Sequence, residues 1–247
     1  GNYDKKWTET FKMPLEVIEY AYELTVNATN EASMPYASKI TVVAPLTEKS
    51  ATSHSINIKT GLTYVQLEDL HPGVKTYAIE ASPADCVLFA THVLKIDYDV
   101  VFSGVNRGYN IADDLIYSGT VAAAKESVLK GKKGVAVSCK DTSFEGLEYF
   151  DNVMQYLLKS PLFDEKVVIN INIPQNAQGI KITHQAKSTY SVHYVQKDDG
   201  LYYSMCDRSV PINDEPDGDL MTIKSGYVSI TPLTFNQTDI DIYKKYH

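Results

Sequence analysis

Ser118-Gly119-Thr120 stands just before Val121-Ala122-Ala123-Ala124-Lys125-Glu126-Ser127-Val128-Leu129, a run whose composition favours a helix closed by Gly131. Backbone N–H groups and hydroxyls at such a helix start can converge on an anion, and a phosphoryl group is the obvious one. An ordinary N-cap followed by a glycine is the alternative reading. Asn106 and Ser50 offer neutral oxygens acceptable to Mg²⁺ or Mn²⁺ beside carboxylates, and each also has a plain structural use in a turn or loop. Asp113-Asp114 can bind a metal or place negative charge near the helix start, the second being the favoured reading. Arg107 can take a phosphate with two N–H groups or sit in solvent, and His54 is the loop histidine suited to acid–base work. No residue is assigned as catalytic.

These residues need elements to place them. Ile40-Thr41-Val42-Val43-Ala44, Asp99-Val100-Val101-Phe102, Gly134-Val135-Ala136-Val137-Ser138 and Val167 to Ile173 read as buried strands. Polar loops follow the first three, at 47–55, 103–114 and 141–145. Ser82-Pro83-Ala84-Asp85 spells a helix entry, with Ser82 as cap, Pro83 at the first helical position and Asp85 in the place of a capping-box acid. A helix is expected at Leu15–Leu24 from its three-and-four spacing, and another over Phe144–Leu158. Strand and helix therefore alternate across 40–173, which predicts an α/β fold: a doubly wound, mostly parallel, Rossmann-like sheet with a C-terminal β-hairpin or extended arm. The expected division is a core over 1–174 carrying the site, a β-rich hairpin or oligomerisation arm over 175–226, and a final strand and tail over 227–247. In such sheets ligands bind beyond the carboxyl ends of the strands, so the three polar loops should share one rim.

Composition narrows the function. The 247 residues carry 23 basic against 31 acidic side chains, a net −8, which disfavours a nucleic-acid polymer or an anionic membrane as partner. No stretch approaches the ~18 apolar residues of a membrane span. Cys86, Cys139 and Cys206 are odd in number and lack C-x-x-C spacing, so a reducing compartment, the cytoplasm, is expected. A dinucleotide-binding oxidoreductase fits the alternation of elements but lacks G-x-G-x-x-G after an early strand.

Several separated stretches, in order, resemble the SurE family of survival-protein nucleotidases. They are VVAPLTEKSATSHSI, IEASPADCV, SGVNRGYNIADDLIYSGTVAAAKE, ININIP and GYVSITPL, spanning roughly residues 40 to 233. The resemblance implies a metal-dependent phosphomonoesterase acting on nucleoside monophosphates through a metal-activated water, with Mg²⁺ or Mn²⁺ as cofactor. It makes Ser50 and Asn106 metal ligands, and Ser118, Gly119 and Thr120 the lining of the phosphate pocket. It also implies a homodimer or homotetramer that exchanges its C-terminal arm. Two departures stand out. The family opens with a buried strand ending in Asn-Asp-Asp-Gly, whose aspartates supply charged metal ligands. Here no apolar strand precedes Gly1-Asn2-Tyr3-Asp4, and the expectation is that the acids lie before Gly1 rather than surviving in degraded form. Leu46 stands where the family usually has aspartate. A non-catalytic nucleotide- or phosphate-binding protein is the rival reading.

Overall fold

The computed structural model describes residues 23–27, 37, 39–71, 73–140, 145–187, 191–207 and 215–247. Strands β1 (Glu23–Asn27), β2 (Lys39–Pro45), β3 (Tyr64–His71), β4 (Val74–Ile79), β5 (Val100–Arg107), β6 (Lys133–Cys139), β7 (Val168–Ile173), β8 (Ile180–Ile182) and β11 (Val228–Leu233) form one sheet. Their order across it is β3-β4-β2-β1-β5-β6-β7-β11-β8. β9 (Ser191–Gln196) and β10 (Tyr202–Asp207) make a separate antiparallel hairpin, within the 175–226 segment where one was expected.

Strand direction decides where a site can be. β2 runs parallel to β4, and β5, β6 and β7 run parallel to one another. β1 is antiparallel to both β2 and β5, so those two point the same way and all five share a direction. β3 and β11 pair antiparallel with β4 and β7, closing the parallel set on either side. The fold is thus α/β and Rossmann-like, with antiparallel strands inserted at its middle and beyond its flanks. The helix expected at Leu15–Leu24 lies largely outside the described residues. Its last two positions, Glu23 and Leu24, belong to β1 instead. That segment satisfies two facing strand edges at once, which a helix cannot do.

Both faces of the sheet are covered, as the near-continuous apolar runs require. Val42, Phe102, Val135, Val137, Ile169 and Ile171 face a core completed by Val153, Met154 and Leu157 of α3 (Phe150–Lys159). Their sequence neighbours point the other way. Val43 packs with Cys86 and Phe89 of α1 (Pro83–His92), Val101 with Val87 and Ala123, and Ala136 and Val168 with Val121, Ala124 and Val128 of α2 (Gly119–Leu129). The helix expected over 144–158 is split where described: a 3₁₀ turn at Glu145–Tyr149 precedes α3. Two short helices follow, α4 (Asp219–Lys224) and the exposed α5 (Ile240–Tyr246). No helix among the described residues is long and apolar enough to cross a membrane.

Candidate functional site

The loops after β2, β4, β5 and β6 leave the sheet at the rim set by their common direction. The loop after β2 is bent by left-handed backbone at Ala51 (φ 55°) and Ser53 (φ 54°), each an uncommon conformation for a residue with a Cβ. It is then tied down along its length. Thr52 Oγ1 donates to the Lys49 carbonyl at 3.0 Å, Ser53 N donates to the Tyr117 carbonyl at 2.9 Å, and His54 Nε2 lies 2.9 Å from Glu126 Oε2.

At the start of α1 the expected capping box is present: Asp85 N donates to Ser82 Oγ at 3.1 Å, and Ser82 N to Asp85 Oδ2 at 3.2 Å. The shorter aspartate serves a second purpose. Both its oxygens accept from Asn57 N, at 3.0 and 3.1 Å, so the cap of α1 also anchors the far end of the β2 loop.

Gly119 is where these pieces meet. A Cβ there would stand 2.9 Å from Pro83 Cγ and 2.9 Å from Thr52 Oγ1, with the Lys49 carbonyl oxygen at 3.5 Å. The β2 loop, the entry to α1 and the entry to α2 therefore close on a backbone that only glycine allows. Ser118 caps α2, its Oγ accepting from Val121 N at 3.1 Å, so for its hydroxyl the ordinary-cap reading holds. Ala122 N bonds the Ser118 carbonyl. Among the described residues the N–H groups of Gly119 and Thr120 meet no acceptor, which leaves two donors at the positive end of the helix dipole.

Asn106 is placed by a bulge. β5 and β6 shift register between Ser103 and Asn106, around Gly104 at φ 125°, where a Cβ would sit 2.2 Å from the Val137 carbonyl oxygen. Ser103-Gly104 was expected to end the strand, but the chain resumes pairing to Arg107. The bulge re-aims Asn106, whose Nδ2 donates to the Gly108 carbonyl at 2.8 Å and so leaves Oδ1 as its available acceptor. Ser50 lies exposed in the β2 loop. These two neutral oxygens fit Mg²⁺ or Mn²⁺ as the uncharged part of an oxygen ligand set. Among the described residues no group of three or more His, Cys, Asp or Glu gathers to supply the charge. Gly1–Asp4 and residues 141–144 of the loop after β6 lie outside the described residues.

Asp113 and Asp114 sit half-buried in a 3₁₀ turn, Ala112–Ile116, just ahead of Ser118, and Arg107 is exposed at the end of β5. Beneath this loop lies a polar support that sequence reasoning did not find. Asn110 N donates to Asn172 Oδ1 at 2.9 Å, and Asn110 Nδ2 to Ser138 Oγ at 2.8 Å. The Asn110 carbonyl accepts from Asn170 Nδ2 and Asn172 Nδ2 at 2.9 and 3.0 Å. Asp219 receives the N–H groups of Ala112, Ala186 and Leu220. Burial pushes its carboxyl above the usual range, while those three donors pull it back down. The available signal was two asparagines at alternate positions of an otherwise apolar strand.

Comparison with known proteins now bears on this geometry. The family model described as "Survival protein SurE" matches residues 21–192. The chain belongs to the SurE family. A "5'-nucleotidase SurE" of Thermoanaerobacter sp. (strain X514) is 34% identical over 215 residues, covering 83% of this chain and 84% of the relative. One of Campylobacter jejuni (strain RM1221) is 35% identical over 226 residues, covering 85% and 86%. The crystal structure of a SurE protein from Aquifex aeolicus superposes with a TM-score of 0.65 at 27% identity, covering 81% of this chain and 84% of that one. In this SurE family member the matched range includes the three segments that meet at Gly119.

Proposed function

We propose that this chain is a metal-dependent phosphomonoesterase that hydrolyses nucleoside monophosphates in the manner of a 5'/3'-nucleotidase. The closure of the β2 loop and the α1 entry on Gly119 carries the reading, because it joins the segment bearing Ser50 to the helix start bearing Ser118, Gly119 and Thr120. The relatives named 5'-nucleotidase supply the substrate class.

On this reading the N–H groups of Gly119 and Thr120 hold the phosphate oxygens, and the capping bond of Ser118 fixes the helix start that carries them. Ser50 and Asn106 Oδ1 take neutral places on Mg²⁺ or Mn²⁺, the bulge at Gly104 fixing the second. The cation, when bound, neutralises phosphate charge and lowers the pKa of a water. Asn110, Asn170, Asn172 and Ser138 keep the loop between Asn106 and Ser118 at one height, so that cation and ester are held in a fixed relation. The same reading takes the exposed β9–β10 hairpin, with Tyr194, Val192 and Tyr202 in solvent, as an arm that joins two or four copies.

The test is phosphate release from AMP by the folded protein with and without added Mn²⁺ or Mg²⁺. Metal-stimulated turnover is expected. Nucleotide binding with no release in either metal overturns the enzyme in favour of the binding protein.

A further inference from the structure

We infer that His54 and Glu126 form a positioning pair that holds the Ser50 loop against α2. The inference rests on the nucleotidase reading only for its kinetic consequence. His54 Nε2 lies 2.9 Å from Glu126 Oε2, and Lys130 Nζ lies 3.4 Å from Oε1, one helical turn further on. The Glu126 side chain is only 9% exposed. Its carboxyl is held below the usual range chiefly by the hydrogen bond from His54, against burial that raises it and with help from Lys130. A buried carboxylate needs such partners, and here one of them comes from the β2 loop.

The partner of its ring nitrogen separates positioning from catalysis. Glu126 follows Gly119 by seven residues on α2, about 10 Å along the axis at ~1.5 Å per residue, while Ser53, the residue before His54, is bonded to Tyr117 at the helix entry. The His54 side chain thus links the helix entry to a residue two turns further on, and its Nε2 is engaged by Glu126. The histidine that the sequence suggests for acid–base work instead pins the loop.

The loop needs pinning. Ala51 and Ser53 carry left-handed backbone at φ 55° and 54°, which costs roughly 1–2 kcal/mol per residue, and such strain persists only where surrounding contacts over-determine it. Ser53 N to Tyr117 O holds one side of the bend, and His54 to Glu126 holds the next residue. Ser50 lies four residues before His54, across both strained positions.

The experiment compares His54→Ala, His54→Gln, which restores an N–H donor, and Lys130→Ala, which removes the other partner of Glu126 without touching the loop. Amide hydrogen exchange across residues 50–54 is measured without metal, and the Mn²⁺ concentration giving half-maximal AMP hydrolysis is measured separately. In His54→Ala exchange should speed up several-fold. The Mn²⁺ requirement should rise about tenfold, the usual scale for loss of an outer-shell partner, with kcat at saturating Mn²⁺ kept within about twofold. His54→Gln should return both values toward the parent, and Lys130→Ala should move neither. Unchanged exchange in His54→Ala overturns the pair, as does an equal effect of Lys130→Ala. A collapse of kcat with exchange unmoved makes His54 catalytic and also overturns it. If exchange behaves as expected while the parent releases no phosphate, the pair stands and the nucleotidase reading falls.

Discussion

Replacing Gly119 by alanine inserts one methyl where three segments touch. Its carbon would stand 2.9 Å from both Pro83 Cγ and Thr52 Oγ1, whereas such contacts relax at about 3.5–4.0 Å. The entry to α1 and the β2 loop must therefore separate by roughly 0.5–1 Å in all. Neither yields freely, because Pro83 is buried and Thr52 is tied to the Lys49 carbonyl. Overpacking of this kind costs about 1–3 kcal/mol, and alanine in place of glycine in a helix returns up to about 1 kcal/mol. The net loss, roughly 0–3 kcal/mol, leaves a folded protein. The displacement, however, falls between the Ser50 loop and the N–H groups of Gly119 and Thr120, where a shift of about 1 Å is worth on the order of 100-fold in rate. Gly119→Ala should therefore lower kcat/KM for AMP by about 10- to 100-fold while the urea midpoint moves little. Steady-state phosphate release in saturating Mn²⁺ and urea unfolding on the same preparation decide it. Parental kcat/KM in the folded variant refutes the convergence on which the site is built.

Gly104→Ala faces a backbone carbonyl 2.2 Å away and a φ of 125°, neither of which a side-chain movement can relieve. It should cost more than about 3 kcal/mol, measured as loss of soluble folded protein or a large fall in Tm. Asp219→Ala strips the acceptor from three backbone N–H groups, each worth about 1–3 kcal/mol when orphaned, and should unfold at clearly lower urea, with Asp219→Asn intermediate. Leu157→Ala, fully buried in the core under α3, should lose about 2–5 kcal/mol yet keep the Mn²⁺ requirement of the parent. Glu126 gives a pH dependence. Its carboxyl titrates lower in the folded chain than the ordinary value of 4.5, so its pairing stabilises fully above that value and is lost as the pH falls through the folded pKa. Urea midpoints taken between pH 3 and pH 7 should therefore drop less steeply on the acid side in Glu126→Gln than in the parent.

Local rules reached the parts of this molecule that local chemistry determines. The β-branched runs became β2, β5, β6 and β7, and Ser82-Pro83-Ala84-Asp85 became a capped helix start, because each depends on residues within a few positions of one another. β3 and β4 were not read, although Pro72-Gly73 was a turn signal between them. The bulge escaped notice because a glycine after a strand reads equally as an ending. What decided otherwise was pairing with β6, some thirty residues away. Asn110 meets Asn172 across 62 residues, and Ala112 meets Asp219 across 107. No window of sequence holds both partners, so only the folded chain could name them.

Asp85, standing where a capping box usually has glutamate or glutamine, shows how closely fold and site are joined. A glutamate in that place would close the capping box equally well in isolation, so helix propensity alone does not select aspartate. The choice becomes intelligible once Asn57 is seen donating to both carboxylate oxygens, since a carboxylate one methylene shorter is held close to its own helix turn. The same logic runs through the rim. Ser118 caps α2 and so aims the N–H groups beside it, and Glu126 on the same helix ties down the loop after β2. Side chains that end or begin helices here also hold the neighbouring loop. A change that loosens one helix start should therefore be felt first in the position of Ser50, before it is felt in the stability of the sheet.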